Sequence, residues 1–178
     1  MKVVNTSIAD VKIIDPKVFG DQRGFFLETF NQQRYRELLG IECSFVQDNH
    51  SRSSKGVLRG MHFQKTNPQG KLVRVVNGAV FDVAVDVRKG SPSFGQWAGV
   101  TLSMENFRQL WVPPGFAHGF VVLSDVADFE YKCTEFYNPS DEVCLSWDDP
   151  DVAIDWPIGV PILSEKDALG LALKDLNL

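Results

Sequence analysis

The apolar residues of this chain come in short runs, each closed within a few positions by Gly, Pro, Asn or Asp, and this punctuation restricts the fold more than any other feature. Runs of that length do not make long helices; they suit an antiparallel sandwich or barrel. The clearest stretch is 72–87, where LVRVV and AVFDVAVDV flank Asn77-Gly78. Asn-Gly supplies the positive φ angles of a tight type I′ hairpin, so a hairpin is predicted here. In the second segment Phe81, Val83, Val85 and Val87 share one face, and Val80, Asp82, Ala84 and Asp86 share the other. The first face is core. The second alternates carboxylates with small residues and suits solvent or a polar cavity. Further strands are predicted at 11–15, 24–30, 45–51, 57–64, 97–102, 109–113, 119–123 and 128–135. A short helix is predicted over 31–39 with Gly40 as its stop. A second is predicted to begin at Ser164, where Ser-Glu-Lys-Asp resembles a capping box. About ten short strands and little helix define an all-β chain of the jelly-roll or small-barrel class. The 178 residues contain no linker, repeat or low-complexity stretch and fit a single domain, 1–178.

A formal net charge of -5 leaves no basic footprint for nucleic acid, although a few local Arg and Lys residues suffice for a phosphorylated small molecule. Cys43, Cys133 and Cys144 are odd in number and include no CxxC, so reduced thiols are expected rather than a disulfide framework or zinc cluster. No apolar run nears the roughly 20 residues of a membrane span. The start, MKVVNTSIADVKII, lacks the apolar core of a signal peptide. A cytoplasmic protein with no membrane partner is expected.

Histidine is scarce: His50, His62 and His118 are the three in the chain. In the strand at 57–64, Leu58, His62 and Gln64 share a face, and Arg59 points the other way unless Gly60 marks a bulge. Lys71, Val73 and Val75 share a face of the next strand; Phe129, Tyr131 and Cys133 point together in another. A phenol buried in that company needs a partner. Each of these residues has a plain structural account. A strand histidine is most often a hydrogen-bonded core residue, a tyrosine beside phenylalanine is core, Lys71 after a glycine is solvated, and Asp167 caps a helix. It is their company that points to a site. Pro113, Gly115 and His118 match the P-x-G-x-x-H of the second cupin motif, a turn feeding a strand whose histidine points into the barrel. The first cupin motif supplies H-x-H and a downstream Glu as metal ligands. Here the segment is His62-Phe63-Gln64, which leaves too few imidazoles for a divalent ion. A cupin without metal either works by side-chain acid–base chemistry or only binds.

The segments KGVLRGMHFQ (55–64), QGKLVRVVNGAVFDVAVDVRKGSPSFGQW (69–97), WVPPGFAHGF (111–120) and EYKCTEFYNPSDE (130–142) closely resemble the dTDP-4-dehydrorhamnose 3,5-epimerases, as do FGDQRGFFLETF (19–30), FVQDNHS (45–51) and LSEKD (163–167). They run in order over nearly the whole chain. Met61 and Phe63 stand where many members have Leu and Tyr. The resemblance implies a cupin-type jelly-roll barrel that epimerises C3 and C5 of a dTDP-4-keto-6-deoxyhexose with neither metal nor redox cofactor. It makes His62 the base, Asp167 its partner, Tyr131 the acid on the opposite face and Lys71 the cation at the enolate oxygen. An imidazole's ordinary pKa of about 6.5 suits proton transfer at neutral pH. By the same resemblance His118 and Asp82 line the sugar pocket, paired with each other. Arg23, Glu28, Gln47, Asn49, Arg59, Glu142 and Lys166 match nucleotide-binding positions, and Tyr137 stacks on the thymine. The family also implies a homodimer with exchanged N-terminal strands, in which Arg23 and Glu28 serve the neighbouring subunit's site. Three rivals remain at this stage: an epimerase acting at C3 or C5 only or a ketoisomerase, a metal-dependent cupin oxygenase, and a non-catalytic sugar-nucleotide binder.

Overall fold

The computed structural model describes residues 1–42 and 44–178. In chain order its strands are β1 (Lys2–Asn5), β2 (Lys12–Asp15), β3 (Val18–Asp21), β4 (Gly24–Leu27), β5 (Gln47–Ser54), β6 (Leu58–Gln64), β7 (Lys71–Asn77), β8 (Ala79–Asp86), β9 (Trp97–Ser103), β10 (Gln109–Val112), β11 (Phe116–Val122), β12 (Val126–Cys133) and β13 (Glu142–Cys144). Helices α1 (Gln32–Leu39) and α2 (Glu165–Ala168) and a 3-10 turn at Leu173–Asp175 complete it. Two antiparallel sheets form the body, β1-β2-β10-β7-β12-β5 and β13-β6-β11-β8-β9, while β3 and β4 make a separate ribbon. This is the all-β, cupin-like barrel that the sequence punctuation and the resemblance imply.

The two sheets are joined by side chains. Val73, Val75, Leu110 and Phe129 of the first meet Val80, Ala84, Leu102 and Phe120 of the second in one buried cluster. Each large apolar side chain contributes about 1.5–3 kcal/mol on full burial. The outer face of the second sheet is covered by the C-terminal segment, which packs Leu145, Val152, Leu173 and Leu176 against Val83 and Val85. Consequently β8 has no solvent face: Val80, Asp82, Val83, Ala84, Val85 and Asp86 are all fully buried. Helix α1 covers part of the first sheet, where Tyr35 packs with Ile14, Leu72 and Trp111. Its start is capped by the Asn31 side chain, which accepts from the Arg34 amide at 3.0 Å, and Gly40 ends it at a φ of 68°.

The predicted hairpin at Asn77-Gly78 is not formed. β7 pairs with β10 and β12, and β8 pairs with β11 and β9, so this turn is a corner between sheets. Gly78 does take a positive φ of 76°, but Asn77 does not, and a type I′ turn needs both. The physical reason is that Val80 and Ala84 bury against Val73 and Val75 across the core, a gain no local pairing replaces. The strand predicted at 24–30 ends at Leu27, and β1, β3 and β13 were not predicted. No described helix is long and apolar enough to cross a membrane. Cys133 and Cys144 are free thiols; Cys43 lies outside the described residues.

Candidate active site

Between the sheets lies a cavity of about 540 Å³. One wall comes from the six-stranded sheet and is laid out by strand periodicity alone. On β12, Phe129, Tyr131 and Cys133 lie opposite Ser51, Asn49 and Gln47 of β5 on one side. On the other they lie opposite Val75, Val73 and Lys71 of β7. The Tyr131 hydroxyl has no hydrogen-bond partner among the described residues. Burial, the largest cause, pushes its pKa up to about 12, so the phenol keeps its proton at neutral pH. Lys71 is buried and its Nζ donates to the His62 carbonyl at 3.4 Å. Burial lowers the pKa of this ammonium, with Cys133, Glu142 and Asp82 pulling the other way.

The facing wall depends on a bulge. Arg59 of β6 pairs with Phe120 of β11, and His62 pairs with His118, so three steps on β6 match two on β11. The extra residue reverses the alternation, and Arg59 and His62 both line the cavity. Gly60 makes this possible: its φ is +138°, and a Cβ there would sit 2.5 Å from the Gly119 Cα. Arg59 is steadied by a 2.9 Å bond from its Nε to the Ser53 hydroxyl.

His62 donates through Nε2 to Asp167 Oδ1 at 2.6 Å, which leaves Nδ1 as the nitrogen able to take a proton. Glu142 Oε1 stands 4.0 Å from that Nδ1. Burial raises the Asp167 pKa, but the bonds from His62 and Ser164 outweigh it and hold the carboxyl below its usual range. Asp167 serves α2 as well: Ser164 is the N-cap, accepting from the Asp167 amide at 3.2 Å, and its hydroxyl donates to Asp167 Oδ2 at 2.9 Å. One carboxylate oxygen therefore holds the helix start and the other holds the imidazole. Glu142 is tied to the Lys166 ammonium and accepts from the Tyr137 hydroxyl at 3.0 Å. Deeper in, His118 Nε2 meets Asp82 Oδ1 at 2.9 Å, the pairing the resemblance implied. Burial is the main cause in both partners, pushing the carboxyl up and the imidazole down, each toward its uncharged form.

The structure thus brings Gln47, Asn49, Arg59, His62, Lys71, His118, Tyr131, Tyr137, Glu142, Lys166 and Asp167 to one cavity, with Asp82 behind His118. It does not bring Arg23 or Glu28 there. Arg23 pairs with Asp21 at the exposed turn between β3 and β4, and Glu28 accepts from Arg34 at 2.6 Å. Sequence reasoning missed Ser51, Gln69, Cys133 and Ser164 as cavity residues. Ser51 and Cys133 were recoverable, since each shares alternation with a named neighbour.

His62, Cys144 and Asp167 place donor atoms within 4.8 Å of one another, the one such grouping among the described residues. The set fits a metal poorly. Two ligands on a tetrahedral zinc at about 2.0–2.1 Å each sit roughly 3.3 Å apart, whereas the His62 and Asp167 atoms are 2.6 Å apart and share a proton. Burial, with Asp167 adding to it, raises the Cys144 thiol to about 11, the wrong direction for a thiolate ligand.

Known proteins are similar to this chain over nearly its whole length. Residues 5–175 match the sequence profile described as dTDP-4-dehydrorhamnose 3,5-epimerase. A protein of that name from Pseudomonas aeruginosa is 58% identical over 178 residues, covering 99% of this chain and 98% of its own. The crystal structure of dTDP-6-deoxy-D-glucose-3,5-epimerase from Legionella pneumophila in complex with dTDP-4-keto-L-rhamnose superposes with a TM-score of 0.97 at 59% identity, covering 99% of this chain and 94% of that one. A 3'-monoepimerase from Streptomyces bikiniensis in complex with dTDP-quinovose is more distant: 34% identity and a TM-score of 0.89, over 98% of this chain and 88% of that one. With the profile matching almost end to end, the chain belongs to the dTDP-4-dehydrorhamnose 3,5-epimerase family.

Proposed function

We propose that this protein is an isomerase, acting as one cupin-like domain over 1–178, that inverts C3 and C5 of dTDP-4-dehydro-6-deoxy-D-glucose to give dTDP-4-dehydro-L-rhamnose. Both carbons are α to the C4 ketone, so each gives up its proton to form an enolate. His62 Nδ1 takes the proton while Asp167 steadies the imidazolium through Nε2. The electron pair moves onto O4, where the Lys71 ammonium stabilises it. Tyr131 then delivers its phenolic proton to the opposite face of the carbon as the electron pair returns from O4. Solvent both restores the phenol and takes the proton from His62, which readies the pair for the second carbon. The observation that carries this reading is that the His62–Asp167 pair and the protonated Tyr131 stand on facing sheets across one cavity. A binding-only protein has no use for that opposition. Gln47, Asn49, Arg59, Glu142 and Lys166 bind the nucleotide, the Arg59 guanidinium suiting its diphosphate, Tyr137 meets the base, and His118 with Asp82 lines the sugar pocket.

The proposal includes a homodimer. β3 and β4 expose Val18, Phe19, Phe25 and Phe26, the last at 69%, which is more than a lone ribbon leaves to water. Exchange of this ribbon explains why Arg23 and Glu28, matched to the binding set, lie off their own cavity. The free thiols of Cys133 and Cys144 suit a reducing cytoplasm.

A second reading is inversion at one carbon only, favoured by the likeness to the 3'-monoepimerase. A coupled assay tests the proposal: substrate, a rhamnose-forming reductase and NADPH, before and after exhaustive EDTA treatment. NADPH consumption that survives EDTA is expected. No consumption, or activity lost to EDTA and restored by one metal, would overturn it.

A further inference from the structure

Residues 135–138, which carry Tyr137 to the mouth of the cavity, belong to no strand or helix. Each of the four nevertheless has one backbone group bonded by a glutamine side chain. Gln69 Nε2 donates to the Glu135 carbonyl at 2.8 Å, and Gln64 Nε2 donates to the Phe136 carbonyl at 3.2 Å. Gln47 Oε1 accepts from the Tyr137 amide at 2.9 Å, and Gln64 Oε1 accepts from the Asn138 amide at 2.8 Å. Gln64 also donates to the Asn67 carbonyl at 2.8 Å, so both its N–H groups and its oxygen are in use, at 3% exposure. These three glutamines come from β5, from the end of β6 and from the segment before β7.

Gln64 stands where a metal-binding cupin has its second histidine. Its side chain does not line the cavity; it is turned toward the loop. A neutral imidazole offers one donor and one acceptor and cannot meet Asn67, Phe136 and Asn138 together. We propose that Gln64 is a positioning residue: with Gln47 and Gln69 it fixes the backbone on both sides of Tyr137, so the ring is held in place for the nucleotide base before substrate arrives. Fixing the loop in advance removes an ordering cost from binding. The proposal rests on the reading above that Tyr137 contacts the nucleotide.

A double-mutant cycle in the full-length protein tests it, with calorimetric titration of dTDP into the wild type, Gln64→Met, Tyr137→Ala and the double variant. Gln64→Met is expected to raise the dTDP Kd about 3- to 10-fold, the range of one or two lost net hydrogen bonds, with KM rising in parallel and kcat falling less. In the Tyr137→Ala background it is expected to add nothing, because its effect passes through that ring. If Tyr137→Ala weakens dTDP but Gln64→Met does not, or if the two effects add in full, the positioning role is refuted while the nucleotide reading stands. If Tyr137→Ala leaves dTDP binding unchanged, the nucleotide reading fails and the positioning role falls with it. Should Gln64→Met not fold, Gln69→Met tests the same loop through Glu135, with the same expectations.

Discussion

At Asp167 two explanations that compete in the sequence turn out to be compatible, because a carboxylate has two oxygens. Oδ2 accepts from the N-cap Ser164, and Oδ1 accepts from His62 at 2.6 Å. Tyr131 is the residue at which the catalytic reading and a packing reading diverge most. Tyr131→Phe keeps the ring against Phe129 and removes a hydroxyl that bonds to none of the described residues, so stability is expected to change by no more than about 0.5–1.5 kcal/mol. His62 still forms the enolate in this variant and returns a proton from its own side. Solvent deuterium is therefore expected to enter the sugar while net inversion collapses; His62→Ala is expected to lose both, by about 10²–10⁴-fold. Inversion surviving in Tyr131→Phe would make the tyrosine a core residue. Strand alternation and motif matching identified eleven residues that share the cavity. They saw Gln64 only as a missing ligand, because which way an amide turns depends on a loop more than 70 positions away, at Asn138.

Among the elements, β6 shows how one glycine can decide the site. Strict alternation separates Arg59 from His62, and the bulge at Gly60 brings them together. Gly60→Ala would need φ of +138° and would press a Cβ within 2.5 Å of the Gly119 backbone. Such strain costs about 1–3 kcal/mol, and relief by straightening β6 would turn Arg59 out of the cavity. A folded but destabilised variant with KM raised together with a loss of kcat is expected from thermal melting and steady-state kinetics. Unchanged kinetics would mean that the bulge is dispensable. The parity conflict in the sequence was enough to name Gly60 as the place for a bulge. The same level of reasoning failed at Asn77-Gly78, where local turn chemistry favours a hairpin but burial on both faces of β8 sends the two strands to different sheets.

The molecule as a whole is held partly by carboxylates buried with full sets of donors. Burial raises the Asp86 pKa, but bonds from Arg88, Ser91 and Ser93 outweigh it and hold it far below the usual range. Asp128, bonded chiefly by Arg52 and His50, is lowered as well. An unfolded aspartate takes up its proton near pH 3.9. A folded one with a depressed pKa does so later, so its stabilisation is complete above that value and is lost as pH falls through the folded pKa. Melting temperature is therefore expected to drop steeply below about pH 4. Asp86→Asn is expected to lower it at pH 7 and to make the acid decline shallower; an equally steep decline would show that Asp86 does not contribute. The barrel and its cavity were legible from periodicity because each sheet buries one wall in the other. Of the ribbon, β4 was legible and β3 was not, since its Val18 and Phe19 are exposed and join neither sheet. The central claim, that one cavity inverts two carbons by proton transfer, is tested most directly by NMR of dTDP-4-dehydro-6-deoxy-D-glucose incubated with the protein in deuterium oxide. Deuterium at both C3 and C5, with the product in the L-rhamno configuration, is the expected result. Deuterium at a single carbon, or at neither, would contradict it.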